Sequence, residues 1–470
     1  MAFHAARSAL TREKRRGALS HYHGTLAALA ADTAGADIPQ RVRTFTQAAR
    51  DDILAAFAVL RGIQAAAIVV HGAAGCAAAS IALAEADGAR WYAVDLSERD
   101  SILGGEAPLR ATILRAIADG AQTVFVVGTP VVAINNDDVH AVLLALASET
   151  AVPIQYVNTD GFRSKSPLTG FDVAFHALLR LVEAPDGEST SAEADARHAP
   201  RGFVNLLAVS ENTRNIAAIT TTLSAFGIAW NLLPRLARPE NIRRAGRARA
   251  TISLNRDESE YFGLGLEAAQ GVPYPALPAP IGLAATRRFV LELGAIFGRA
   301  AQAQAYADAQ EAALRELIDA RPLAGKRVFL QTDTALVAGL GALLRELGGE
   351  VAGVALSSVD LNNRAHLARL DAAGDIPALV AVGQPFELAN VLAHTALDYY
   401  IGPEQVAFAA RLGARPVSLA NIIYYGYEGV RAFAAALAAP VPDFRERVRD
   451  VYSEGWLKKN GAWHLKREVR

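Results

Sequence analysis

The chain holds one cysteine and one methionine in 470 residues. A single thiol excludes an intrachain disulfide framework and fits a reducing compartment, so a cytoplasmic location is expected. No stretch approaches the length of a bilayer-spanning helix without charge, so no membrane span is indicated. The N-terminus reads Met-Ala-Phe-His-Ala-Ala-Arg, and Lys14, Arg15 and Arg16 follow before any apolar run, so no signal peptide is expected. Excess charge of one sign is also missing. The formal net charge is −1, and nothing in the total points to nucleic acid or to an anionic membrane. There is no Walker motif, no G-x-G-x-x-G after a first strand and no nucleophile elbow, so nucleotide hydrolysis, NAD binding and serine hydrolysis have no motif behind them.

What the chain does have is apolar mass. Hydrophobic residues make up 52% and charged residues 20%, enough for two or three domains, each with its own interior. Strand-like runs alternate with helical ones: Ala65–Val70, Trp91–Leu96, Thr123–Val127 and Pro153–Val157 read as strands, Leu109–Ala118 and Val139–Ala147 as helices. Glu183 to Arg201 is acidic and rich in small residues and reads as a linker. The rhythm restarts at Phe203–Val209 and again after Gly325-Lys326-Arg327. Three restarts predict an α/β protein of three Rossmann-like domains, parallel sheets flanked by helices, over residues 1–190, 200–322 and 323–470. Ligands are expected in the clefts between them. The charged tail after Pro442, with Trp456 and Trp463, is expected to dock on a partner subunit.

Cys76 lies in His71-Gly72-Ala73-Ala74-Gly75-Cys76, directly after the first strong strand. That places it at the carboxyl edge of a sheet, where open α/β folds collect ligands. Gly72 and Gly75 would let a ligand approach the backbone closely. The thiol is either an inert residue after a tight turn or half of a site shared with another chain. His71 fits a ring satisfied by backbone groups better than a metal ligand. His21 and His23 share a face only if they lie on a strand. Asn135-Asn136-Asp137-Asp138 is a polar turn whose aspartates fit as the N-cap of the helix at Val139, or as the rim of a docking face. Gly383-Gln384-Pro385 and Gly161-Phe162-Arg163-Ser164 read as turns, with Arg163 able to meet an anion.

Taken in order, these stretches resemble a subunit of nitrogenase component 1, in the superfamily that includes the nitrogenase-like reductases. His71-Gly72-x-x-Gly75-Cys76 matches the family's HG-x-x-GC turn, and Gly104-Gly105-Glu106 with Leu109 its GGE-x-x-L stretch. Thr129-Pro130 through Asp137-Asp138-Val139 aligns with its C-P-x-x-x-I-G-D-D-I segment, and Gly426-Tyr427-Glu428-Gly429 with its G-Y-E-G run. The departures are as informative. Thr129 stands where the family has cysteine, and Thr44 to Arg50 lack the earlier family cysteine. Asn421 to Gly426 offers no histidine for the large catalytic cofactor. The resemblance therefore implies a β-like subunit of a divergent branch.

By that resemblance Cys76 is the metal ligand and, with Gly75, the cofactor-binding position of an interfacial iron–sulfur cluster. The cluster is a 4Fe–4S cluster or a larger, P-cluster-like one, shared with a partner that brings the other ligands. The implied partners are an α-like subunit carrying the catalytic metallocluster, in an α2β2 heterotetramer, and an iron-protein-like ATPase as electron donor. Dinitrogen reduction is disfavoured by the missing cysteines, and dark protochlorophyllide reduction by the expected lack of an extra C-terminal domain. Reduction of small organic sulfur compounds, as in methylthio-alkane reductase, is left by elimination. An assembly scaffold for a nitrogenase-type cofactor is the alternative, and a metal-free binding protein on the same fold is the third reading.

Overall fold

Apolar side chains alternate between two interiors along the central strands, and that alternation sets the architecture. The computed structural model describes residues 15, 18–19, 21–31, 51–76, 88–159, 161, 166–183, 202–367, 376–381 and 384–439. The linker beyond Glu183, the aromatic tail, Thr44 to Arg50 and Arg163 lie outside these residues.

Among the described residues, thirteen strands form three sheets, and β1 (His21–Thr25) belongs to the third of them. The first sheet is parallel throughout, with β2 (Ala66–His71), β3 (Arg90–Ala93), β4 (Thr123–Gly128) and β5 (Ile154–Val157) in the order β3-β2-β4-β5. The second is also parallel, with β6 (Phe203–Ala208), β7 (Ala229–Pro234) and β8 (Ala250–Ser253) in the order β7-β6-β8. The third adds β9 (Arg327–Thr332), β10 (Glu350–Leu356), β11 (Pro377–Ala381), β12 (Tyr399–Ile401) and β13 (Arg415–Val417), in the order β1-β11-β10-β9-β12-β13. Only β1 runs antiparallel there.

Because β2 and β4 are buried on both faces, they read as continuous apolar runs. Ile68, Val70, Phe125 and Val127 face one core, while Ala67, Val69, Val124 and Val126 face another. On β6, Phe203 and Leu207 join the core under the first sheet, whereas Val204 and Leu206 join the core of the third. The three sheets are thus welded through shared interiors. Each fully buried Leu, Val or Phe in them contributes about 1.5–3 kcal/mol.

Sequence periodicity located the central strands and missed the marginal ones. β8 is four residues and β12 three, too short to show a period. β1 corrects the range 1–190: its residues sit on the edge of the third sheet, against β11. His21 and His23 do share a strand, but only His21 finds a carboxylate, with Nε2 3.1 Å from Glu387 Oε2. β13 ends at Val417, and Leu419–Asn421 forms a 3-10 turn.

The N-terminal segment also carries Arg15, which is buried. Its Nε and Nη2 donate to Asp172 at 2.9 and 2.8 Å, on helix Thr169–Leu179 beneath the first sheet. Nη2 also donates to the carbonyl of Asp257 at 2.9 Å, at the start of helix Arg256–Gln270 after β8. Nη1 lies 3.6 Å from Asp360 Oδ2, in the loop after β10. One guanidinium therefore ties all three units together. Burial pushes the Asp172 carboxyl up to about 6 against the pull of Arg15, so the pair is ionised at neutral pH. Arg15→Met should cost about 3–5 kcal/mol, because it strands buried carboxylates without a counter-charge. Denaturant midpoints test this beside Asp308→Asn, an exposed pair expected to cost below about 1 kcal/mol. Equal effects from the two changes would refute the pin.

Candidate functional site

In an open parallel sheet the crevice lies at the carboxyl ends of the two strands where the chain reverses its winding direction. In the first sheet those strands are β2 and β4, since β3 lies on one side of β2 and β4 on the other. His71 ends β2, and Gly128-Thr129 ends β4. The Thr129 hydroxyl donates to the His71 carbonyl at 2.7 Å and stitches the two ends together. Gly72 must be glycine here, because a methyl group on it would lie 2.3 Å from Thr129 Oγ1. Gly105 packs on the same spot, where a methyl would lie 2.9 Å from the His71 ring and 2.6 Å from Asp137 Oδ2. Glu106 Oε1 accepts the backbone N–H of Asp138 at 3.1 Å. The stretches around His71, Gly105, Thr129 and Asp137 therefore meet at one edge.

Cys76 is half-buried, with its N–H donating to the Ala73 carbonyl at 3.0 Å. Among the described residues no atom lies within 4 Å of where a Gly75 side chain would point. Thr129 is committed to His71 and is no free donor for a metal. Among the described residues no three His, Cys, Asp or Glu side chains form a metal-binding group. The donor set fits one side of a shared cluster: a soft thiolate beside an open glycine, insufficient alone. His71 departs from expectation. Its ring finds no backbone partner. Nε2 lies 3.0 Å from Asp137 Oδ2, off the line of a hydrogen bond, and burial lowers the ring's pKa against the pull of Asp137 and Glu106. Asp138 is the N-cap, accepting the Ala141 N–H at 2.9 Å. Helices Glu98–Leu103 and Pro130–Asn135 pack together beside this edge and leave Ile102, Leu103 and Ile134 more than two-thirds exposed.

A second crevice went unread in the sequence. In the second sheet the winding reverses between β6 and β8, and in the third between β9 and β12. The loops after these strands, with helix Asp52–Leu60 of the first unit, enclose a cavity of about 560 Å³. One wall is apolar, with Leu54, Phe57, Trp91, Phe171 and Leu336. Glu211, Glu258 and Asp333 stand on the other, one from each strand end. Gln384, read as a turn residue, lines it as well and is buried. The legible signal was a polar triplet at two strand ends: Ser210-Glu211-Asn212 after β6, and Gln331-Thr332-Asp333 across the end of β9.

Burial pushes Glu211 up to about 7, with Asp333 adding to the rise, and it pushes Glu258 well above the usual carboxylate range, with Glu211 and Asp333 adding. Raised carboxyls favour the fold while protonated, so their contribution is lost as pH climbs through the folded-state values. His71, held neutral, works in the opposite direction and matters only as pH falls below its ordinary value.

With this geometry in view, the chain belongs to the nitrogenase component 1 type oxidoreductase family, whose model matches residues 52–441. It is 32% identical over 218 residues to a light-independent protochlorophyllide reductase subunit of Halorhodospira halophila, over 45% of this chain and 41% of that one. It is 25% identical over 360 residues to nitrogenase iron-molybdenum cofactor biosynthesis protein NifE of Clostridium pasteurianum, over 73% of this chain and 75% of that one. The solved structure titled nitrogenase Cp1 at pH 6.5 superposes with a TM-score of 0.71 at 19% identity, over 85% of this chain and 94% of that one. That likeness establishes the fold: mixed α/β, with mostly parallel sheets flanked by helices. Among the described residues no helix is long and apolar enough to cross a membrane.

Each crevice can be probed by stability. Gly72→Ala should destabilise the protein, and Gly72→Ala with Thr129→Ala should recover part of the loss, a coupling of about 1 kcal/mol or more in a double-mutant cycle. Strict additivity would break the proposed contact. Between pH 8 and 6.5 the unfolding midpoint should rise on acidification, by a free energy on the order of 2–3 kcal/mol, and Glu258→Gln should flatten that slope. A midpoint that falls over this range would contradict the buried-acid assignment.

Proposed function

We propose that this chain is the β-like subunit of a nitrogenase-like reductase, contributing Cys76 to an iron–sulfur cluster shared with a cysteine-richer α-like subunit. The observation that carries the reading is the convergence at the first crevice. A half-buried thiol and an open glycine follow β2, and two further motif stretches, Gly104–Leu109 and Thr129–Val139, brace the turn that presents them. Such a cluster, when bound, supplies a one-electron relay. The chain's own residues do the holding: Cys76 offers a soft anionic sulfur, Gly75 admits close approach, and Thr129 locks the strand ends. The exposed Ile102, Leu103 and Ile134 form an apolar surface beside that edge, suited to a partner protein. An α2β2 assembly and an iron-protein-like ATPase as donor complete the proposal, with the catalytic metallocluster in the partner.

One observation favours a second reading. The match to NifE runs through most of both chains, which supports a scaffold on which a cofactor is matured. A reductase turns over substrate with reductant and ATP, whereas a scaffold releases its cluster to an acceptor protein.

Cys76→Ala, purified with its partner, tests the shared ligand. Iron per complex should fall, and the thiolate-to-iron absorption should weaken. Unchanged iron content and spectrum would remove Cys76 from the metal.

A further inference from the structure

The family's cysteine turn occupies the first crevice and leaves the second without a role. The cavity there has the size of a ligand pocket and the usual build of one, an apolar wall facing a few convergent polar groups. Its polar side is unusual in sign. Glu211, Glu258 and Asp333 reach it from three different strand ends, and Glu404 joins the lining from the loop after β12. The basic groups near them are Arg61 on the first-unit wall and Arg235, which spends Nη1 on the Glu211 carbonyl at 2.8 Å. Tyr424 lines the cavity and Tyr425 is buried behind it; burial raises both phenols, so they stay neutral.

Glu258 is the decisive residue. It is 5% exposed, and Oε2 accepts the Ser210 N–H at 3.2 Å. The charged groups that act most strongly on this carboxyl are Glu211 and Asp333, both of its own sign. Packing three acids against one another in a dry wall costs free energy in the empty protein. A cation placed among them relieves the mutual repulsion. The opposite wall, where Phe57 and Trp91 stack edge to face at 4.9 Å, asks for an apolar body on the same ligand.

We propose that the cavity between the second and third sheets binds an organic cation, an apolar molecule whose protonated amine is held by Glu258 with Glu211 and Asp333. The inference stands on the second crevice alone and does not depend on the cluster at the first.

The probes are three molecules of nearly one shape: tryptamine, the neutral tryptophol and the anionic indole-3-acetate. They are titrated calorimetrically into the full-length protein in two buffers of different ionisation enthalpy. Tryptamine should bind saturably, at least about tenfold tighter than tryptophol, with indole-3-acetate weaker still. At pH 7 its binding should release about one proton, as Glu258 ionises against the amine. Glu258→Gln should weaken tryptamine by about tenfold or more and leave tryptophol unchanged. That change replaces a carboxyl held neutral by burial with an amide of nearly the same shape, so misfolding is not its expected consequence. Cys76→Ala should bind tryptamine as the natural chain does, which keeps this test separate from the cluster assay. The proposal is overturned by no saturable heat up to about 5 mM tryptamine, by tryptophol or indole-3-acetate matching the amine, or by full affinity in Glu258→Gln.

Discussion

A single buried guanidinium holds the geometry on which both crevices rely. Arg15 touches Asp172 under the first sheet, the Asp257 carbonyl after the second, and Asp360 after β10 of the third. Desolvating such a group is expensive, and its partners only repay the cost when all are in place. Its value is therefore positional. Apolar cores shared between sheets tolerate small slides of one layer over another, because burial is not directional. A forked donor satisfied from three directions does not. The Ser166 hydroxyl, 3.2 Å from the Ser358 hydroxyl and 3.5 Å from Asp360, extends this polar seam between the first and third units.

The seam lies where the cavity lining comes together. Leu168 and Phe171 sit on the Asp172 helix or beside it, Glu258 directly follows Asp257, and Ser358 is two residues before Asp360. The residues that fix the three units are thus immediate neighbours of those that face the cavity. A ligand there would feel the relative placement of all three sheets, and a change in that placement would first alter the spacing of Glu211, Glu258 and Asp333.

How much of this was legible follows from what each feature depends on. Central strands with two buried faces announce themselves as apolar runs, so β2, β4, β6 and β9 stood out in the sequence. The first crevice was legible because its parts lie in short glycine-marked motifs, and Gly72 and Gly105 have steric reasons that survive in one dimension. The second crevice was not. Its acids are 47 and 75 residues apart along the chain, counted from Glu211 to Glu258 and from Glu258 to Asp333, and each looks like an ordinary polar residue after a strand. Only strand order brings them together, and strand order is not written in periodicity. Arg15 was hidden for the same reason. Among Lys14, Arg15 and Arg16 nothing local marks the one that is buried.

Thr129 shows how the two crevices divide the chemistry. A cysteine at that position would offer a second soft donor from the end of β4, next to the one that follows β2. The threonine instead turns its hydroxyl inward to the His71 carbonyl and its bulk toward Gly72. Donor capacity at the first crevice drops to one sulfur, while the strand ends become more tightly fastened. The edge is thereby left with a single soft donor and firmly fastened strand ends. The second crevice is the reverse case: among the described residues its lining is rich in hard oxygen donors and holds no thiol or imidazole. A lining of carboxylates and apolar side chains favours a hard or organic cation over a soft metal.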